Sequence, residues 1–521
     1  MKLFISLPLL LLSFLTYSAE QCNDQQWIVS KIDYQVKQPH QIITDYMEKP
    51  WFSFVYQPTK VTTINKYLTF QVGDPLDLVR VAESIRKLRA QKFIWDAKYE
   101  ITKLDNCQAK ILVTVHDTFP FKPKISVSRR SGANKSSIGI THTNLFGSGS
   151  KLQFDYKQGK LRDQKVLQYV NPNFGDKHYY FSGLYSDNSD GKESNLLIEM
   201  PFNEFDSEYQ YGLSYQDFQG DLSVYNRSVV EQLISYQKQD NRIEFATGSS
   251  GDFGMQQKRH YWTISQDRAN YQGLSQLDRD VIRIGGKYQL YDVDYIEVKN
   301  IRNLAKTEDY NQGLTISFEA AYLYDKVSKS KGELIGFSYN QNFLYDQWTL
   351  LQTDLLFEKQ LFNNHLAQQQ TKGRLQFNAF DKGFSTSWNV KLEFELNQSP
   401  KLENYIIMDE EFPIRGFPYG YRLGDSYASI NIEKRWFNLA HYFGVIDIAM
   451  IAFYDAGFIS VKDSAISNYN KESLQSAGIG LRVSPTKLTH NTIIHIDLAY
   501  PINENNLDQN YQLNIFGVGY F

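Results

Sequence analysis

Any enzymatic reading of this sequence has to begin with its nine histidines. His40, His116, His142, His178, His260, His365, His441 and His490 are scattered, and only His495 has a carboxylate placed to help it. Alternation along Ile493 to Tyr500 puts His495 and Asp497 on one face of a strand, where they could relay a proton to a nucleophile. No G-x-S-x-G or comparable nucleophile motif accompanies them, so the pair reads as polar lining. Metal-ligand spacings, glycine-rich phosphate loops and paired cysteines are absent from the sequence. The expectation is therefore no catalytic residue, no metal and no cofactor. What remains is a cation and an anion forty positions apart. Pro413-Ile414-Arg415-Gly416-Phe417 lies in a Pro/Gly/Tyr-rich stretch, Phe412 to Gly424, which reads as an ordered loop with one cation at its tip. Phe453-Tyr454-Asp455-Ala456-Gly457 ends a strand. From Val445 to Gly457 the alternation puts Ile446, Ile448, Met450, Ala452 and Tyr454 on one face and Asp447, Ala449, Ile451, Phe453 and Asp455 on the other. If the first face meets lipid, Asp455 points into a barrel lumen, where Arg415 on an inward-folded loop could pair with it. The competing view is a solvated surface arginine and an ordinary strand-end aspartate.

The elements that must position these residues are strands. From about Ile125 onward the sequence is a uniform series of short alternating segments separated by Gly/Asn/Asp/Ser/Lys turns, such as Ser150 to Gly159, Glu208 to Phe218 and Leu314 to Tyr324. Tyr 36, Phe 34 and Trp 7 bring aromatics to 15% of the chain, an excess that girdles at two membrane interfaces would use. Mean hydropathy is −0.45, and after the first residues no apolar run approaches the ~20 residues a membrane helix needs. These facts fit a secreted soluble protein or a membrane β-barrel, and the composition favours the barrel. At about 24 residues per strand and connection, about 400 residues give about sixteen antiparallel strands, an even number as bacterial barrels have. In the last segment Tyr511, Leu513, Ile515, Gly517, Gly519 and Phe521 share a face, with Gln512 and Asn514 opposite, so a closing strand with Leu513, Ile515 and Phe521 toward lipid is expected.

The front of the chain differs. Met1-Lys2, an apolar run to Leu15 and small residues at Ser18-Ala19 read as a signal peptide over residues 1–19, implying export. Residues 20–122 hold the one convincing amphipathic helix, Leu76 to Ala90, with Leu78, Ala82, Ile85 and Leu88 or Arg89 at helical spacing and Gly73-Asp74-Pro75 as its start signal. Strand-like runs at Ile28 to Tyr34, Lys66 to Gln71, Phe93 to Thr102 and Ala109 to Val115 complete a small α+β module. Residues 123–521 are then the barrel. The two cysteines, Cys22 and Cys107, fall in this front region, and in an oxidising compartment a disulfide between them is an open possibility. The net charge of −3 selects no partner and gives no support for nucleic-acid binding.

Several motifs resemble those of one family. The Arg415-Gly416-Phe417 loop followed by the Phe453-x-Asp455-x-Gly457 strand looks like the signature of the POTRA-bearing outer-membrane barrels, the BamA/TamA-like bacterial surface antigens and the related two-partner-secretion transporters. Val61 to Ile94 resembles a single POTRA domain. Asn144-Leu145-Phe146-Gly147-Ser148-Gly149 and Val170-Asn171-Pro172-Asn173-Phe174 look like early-strand motifs of the BamA branch. Only one POTRA copy is visible, and its front carries more residues than a minimal copy needs.

The resemblance implies that Arg415 contacts Asp455, that the terminal Phe521 belongs to an assembly signal, and that the module lies in the periplasm beneath a Gram-negative outer membrane. It implies a protein that inserts or translocates clients by strand addition at the POTRA and at the barrel seam. Its partners would be the lipid bilayer, unfolded client proteins and periplasmic accessory proteins. Alternatives are a two-partner secretion pore for one large exoprotein and a barrel-embedded enzyme acting on lipid or lipopolysaccharide.

Overall fold

The computed structural model describes residues 27–38, 56–159, 162–175, 179–202, 207–249, 257–292, 294–299, 307–346, 348–408, 414–442, 446–462, 471–485, 493–503 and 511–518. They form two compact units, the first of residues 27–38 and Pro58–Thr118 and the second of Tyr56, Gln57 and the residues from Phe119 onward. The first contains β1 (Ile28–Lys37), α1 (Val61–Asn65), α2 (Leu78–Arg89), β2 (Ile94–Leu104) and β3 (Gln108–Asp117). Its sheet runs β1-β3-β2, with β3 parallel to β1 and antiparallel to β2. The centre strand alternates Ala109, Ile111, Val113 and Val115 inward, all fully buried. Against it α2 lays Val81, Ile85 and Leu88 at i, i+4 and i+7. Burying three such side chains contributes roughly 1.5–3 kcal/mol each.

Two expectations for this unit are corrected. The helix starts at Leu78, later than Leu76, because the Asp77 carboxylate accepts from the Val79 and Arg80 amides and caps it there. Its buried stripe runs through Val81 and Ser84 to Ile85 and Leu88, leaving Leu78 exposed. Lys66 to Gln71 is no strand. Its buried residues, Tyr67 and Phe70, are three apart, and the Thr69 amide is bonded to Ser84 Oγ of the helix at 2.8 Å instead of to a neighbouring strand.

The second unit is a closed antiparallel barrel of twenty strands among the described residues. It opens with β4 (Phe121–Arg130), β5 (Ala133–Leu145) and β6 (Ser150–Gly159) and ends with Gln512–Val518. Period-two alternation sorts the side chains: Ile125 and Val127 are 80% and 76% exposed outside, while polar residues such as Asn378, Asp455 and Asp497 are buried inside. No helix among the described residues is long and apolar enough to cross a membrane.

The count corrects the expected sixteen strands, and the reason lies in the turns. Hairpins at Ser131-Gly132 (φ 49° and 72°), Arg227-Ser228 (46° and 66°) and Asn363-Asn364 (49° and 65°) connect strands with two residues each. Two successive positive φ values match the twist of flanking strands, so these turns need no longer loop. Each strand with its connection then takes about 20 residues, against the about 24 assumed for bacterial barrels.

The Asn144 to Gly149 segment forms a tight turn in which Asn144 Oδ1 accepts from the Gly149 amide at 2.8 Å. Val170 to Phe174 ends a strand whose register slips between Asn171 and Phe174, around Pro172, which has no amide to give the ladder. At the seam, the described residues pair the first and last strands only at Ile515 with Arg129. The last strand pairs at seven positions with Ile493–Pro501, and β4 at ten with β5.

Candidate functional site

Between the barrel strands Thr386–Gln398 and Ser426–Tyr442 the chain makes its long connection. Its two arms zip briefly, Ile406–Ile407 against Leu423–Gly424. Beyond them the Phe417 amide bonds back to the Ile414 carbonyl in a turn. Gly416 takes φ +98° there, and a Cβ at that position would stand 3.3 Å from both the Pro501 nitrogen and Ser476 Cβ. Only glycine fits both the backbone angle and that approach to the wall.

The turn aims Arg415 at the strand Ile446–Ser460, whose buried positions are Asp447, Ala449, Ile451, Phe453, Asp455 and Ile459. Arg415 donates from Nε to Asp455 Oδ2 and from Nη2 to Asp455 Oδ1, both at 2.7 Å, and its own amide donates to Oδ2 at 3.2 Å. Nη1 donates to Glu433 Oε1 at 2.8 Å. The guanidinium carbon lies 3.5 Å from the centre of the Phe453 ring. A fork paired in two directions and stacked on a ring is a role for arginine that lysine cannot reproduce. Burial works against the Arg415 charge, but the Asp455 and Glu433 carboxylates outweigh it and raise its pKa above the ordinary arginine value.

The network extends along the inner wall. Asp455 also accepts from Asn431 Nδ2 at 3.0 Å. Arg435 donates to Glu433 at 2.9 Å, and Arg482 Nη1 to Asp497 Oδ1 at 2.5 Å. Arg415, Arg435 and Arg482 thus balance Glu433, Asp455 and Asp497, so each buried charge has an opposite neighbour. Asp497 is committed to Arg482, while the His495 ring sits 5.0 Å from that of Phe516.

Apolar packing fixes the tip. Phe417 is buried among Ile406, Met408, Ile414, Tyr421, Tyr427, Ile459 and Leu474. Gly457 makes room for Ile414, whose Cδ1 would lie 2.9 Å from an added Cβ.

Sequence reasoning missed Glu433, Asn431, Arg435, Arg482 and two glycines. A Cβ on Gly478 would fall 2.4 Å from Phe453 Cζ, and one on Gly480 would fall 1.9 Å from Asp497 Oδ1. Gly478-Ile479-Gly480 inside a strand was the available signal, since such glycines mark close approach.

The loop also reaches other parts of the wall. Lys401 Nζ pairs with Asp267 at 2.9 Å, and Arg279 binds both Asp267, at 3.0 Å, and Glu403. Tyr271 donates to Glu403, and Arg422 pairs with Glu472. The Arg227 and Ser228 amides donate to the Tyr421 and Gly420 carbonyls at 2.9 and 2.8 Å. At the seam, the Tyr419 amide donates to the Ser131 carbonyl at 2.7 Å, and the Ser131 amide donates to Asn514 Oδ1 at 2.8 Å. The remaining candidates lie apart from this cluster. Leu513 and Ile515 are exposed on the outer face of the last strand, with Gln512 and Asn514 buried inside. Cys107 lies in the turn between β2 and β3 at φ 56°. Phe521 and Cys22 are outside the described residues.

Fold and site together define a large closed antiparallel β-barrel with an inward-folded loop clasped to its wall through an arginine, resembling Gram-negative outer-membrane proteins. No family model matches the sequence and no curated protein matches it. Among solved structures the chain is similar to BamA from Haemophilus ducreyi lacking POTRA domains 1–3, at 14% identity over 94% of this chain and 84% of that one, with a TM-score of 0.45. It is also similar to CdiB from Escherichia coli (10% identity, 94% of this chain and 76% of that one, TM-score 0.47) and CdiB from Acinetobacter baumannii (13%, 94% and 73%, TM-score 0.43).

Proposed function

We propose that this protein is an outer-membrane factor that inserts or translocates client polypeptides by strand addition, with its N-terminal module acting as a POTRA domain in the periplasm. The observation that carries the proposal is the seam. Among the described residues the ladder between Gln512–Val518 and Phe121–Arg130 is formed at one residue pair, against seven or more between the other neighbouring barrel strands. A client strand gains the most where the resident pairing is least, because each unpaired backbone group costs several kcal/mol in hydrocarbon. Strand addition at the module would use β1 or β2, the two edges of its sheet. No covalent chemistry is required.

A disulfide across the seam tests this. Arg129→Cys with Ile515→Cys, oxidised, should block delivery of clients to the outer membrane, as read by quantitative proteomics, and reduction should restore it. Full delivery by the locked barrel would overturn strand addition at the seam. Loss of one large exoprotein with barrel proteins unchanged would move the reading to a secretion pore.

A further inference from the structure

The inner faces of β4, β5 and β6 carry an unusual set of side chains. With Ile125, Val127, Ile138, Ile140, Leu152 and Phe154 exposed outside, alternation turns Lys122, Lys124, Arg130, Lys135, Lys151 and Lys157 inward. The one carboxylate on the same face of these strands is Asp155, with Lys124 Nζ at 3.9 Å. On the other side of the seam the inner wall is balanced, with Arg435 and Arg482 standing among Glu433, Asp455 and Asp497. Between the lysines the side chains are small. Ser126 and Ser137 face each other at 2.6 Å, and Ser128 stands opposite Lys135. They leave a cavity of about 540 Å³ lined by Lys124, Lys135 and Lys157, by Arg162 paired with Asp190, and by Asp221, which reaches across to Tyr225, Tyr236 and Tyr419.

We propose that this cationic inner wall beside the seam is a docking groove for an extended acidic segment of a polypeptide, which deepens and rests on the strand-addition reading. The spacing selects that ligand. Lys124, Lys157 and Lys135 stand level with positions 124, 126 and 128 of β4, so they recur about 7 Å apart along the wall on strands about 4.8 Å to the side of one another. Same-face side chains of an extended chain repeat at that same interval of about 7 Å, so alternate Asp or Glu residues meet successive lysines. A single phosphate would need its cations converging on one point, and these are spread along the wall. Lysines also suit transit, because a flexible point charge holds a carboxylate without the rigid bidentate fit of arginine.

The test uses the full chain in a neutral detergent and fluorescein-labelled twelve-residue peptides of alternating Glu and Ser, with Gln and Ser as the control, read by fluorescence anisotropy. The acidic peptide should bind at least about tenfold more tightly than the control, and the difference should shrink as salt rises. Lys124→Gln with Lys157→Gln should remove most of that difference, while Lys124→Arg with Lys157→Arg should retain it and show that the fold is intact. Equal binding of the two peptides, or an unaffected Gln variant, would overturn the groove. Displacement by phosphatidylglycerol or inorganic phosphate at matched charge concentration would overturn the polypeptide ligand in favour of a phosphate site. Because this readout needs no client delivery, it can fail while the seam-lock experiment succeeds, and the reverse.

Discussion

Arg415 holds Asp455 with three donors, its backbone amide and two guanidinium nitrogens, at a carboxylate that has no contact with solvent. Replacing Arg415 by Ala leaves that carboxylate buried without its cation, a loss of about 3–5 kcal/mol. The strand ladders do not depend on it, so the barrel should still form. The expected result is unchanged heat-modifiable mobility on a gel, faster proteolysis of the long connection, and reduced client delivery. Arg415→Lys should restore delivery only in part, since one ammonium cannot serve Asp455 and Glu433 in the same plane. Equal delivery by Arg415→Ala and the parent would remove the clasp from the function.

Gly478→Ala should destabilise the barrel by about 1–3 kcal/mol, as overpacking does, because its Cβ would stand 2.2 Å from the Leu498 carbonyl oxygen as well as against Phe453. A backbone atom cannot rotate away. Gly183→Ala is the control, since its nearest neighbours would be 3.7 Å away. Urea unfolding midpoints of the two variants should separate clearly.

The Asn514 side chain is the acceptor for the Ser131 amide, which lies within a residue whose exposure is 8%. Asn514→Ala should cost about 1–3 kcal/mol at the first hairpin, the usual penalty of an unsatisfied buried donor. Hydrogen exchange should rise along Phe121–Arg130 and stay unchanged in strands remote from the seam. A uniform rise around the whole barrel would point to general loosening.

Glu403 gives the connection a pH dependence. Burial pushes its pKa up, but Arg279 and the hydrogen bond from Tyr271 outweigh this and hold it below the ordinary glutamate value. A carboxyl depressed in the folded state stabilises above its unfolded pKa, about 4.3, and loses that contribution as pH falls through the folded value. Protease protection of residues 399–408 should therefore be flat from about pH 8 to about pH 5 and decline below about pH 4. In Glu403→Gln the decline should be smaller, the remainder coming from protonation of Asp267, the partner of Lys401.

Much of this was legible in the sequence, and the limits have physical causes. Alternation alone placed Asp455, Phe453 and Asp447 on the inner face, because a strand has only two faces and the lipid-facing one must be apolar. The strand count failed on turn chemistry. Arg227-Ser228 carries none of the Asn/Gly signature that announces a two-residue hairpin, yet both residues sit at positive φ. The partners of the connection failed on geometry. Glu403 meets Arg279 across 124 positions, and no local pattern states which strands of a closed barrel stand opposite one another. The helix cap at Asp77 was one step from the expected start, a reminder that side-chain capping sets a helix boundary more closely than the nearest proline.

The two-residue hairpins at Ser131-Gly132, Arg227-Ser228 and Asn363-Asn364 close the same end of the barrel as the long connection, which is itself spent inside. At these points the rim is smooth. The chain that could have stood out from this end as a loop serves here as internal framework, tied to the wall at Asp455, Glu433 and Asp267.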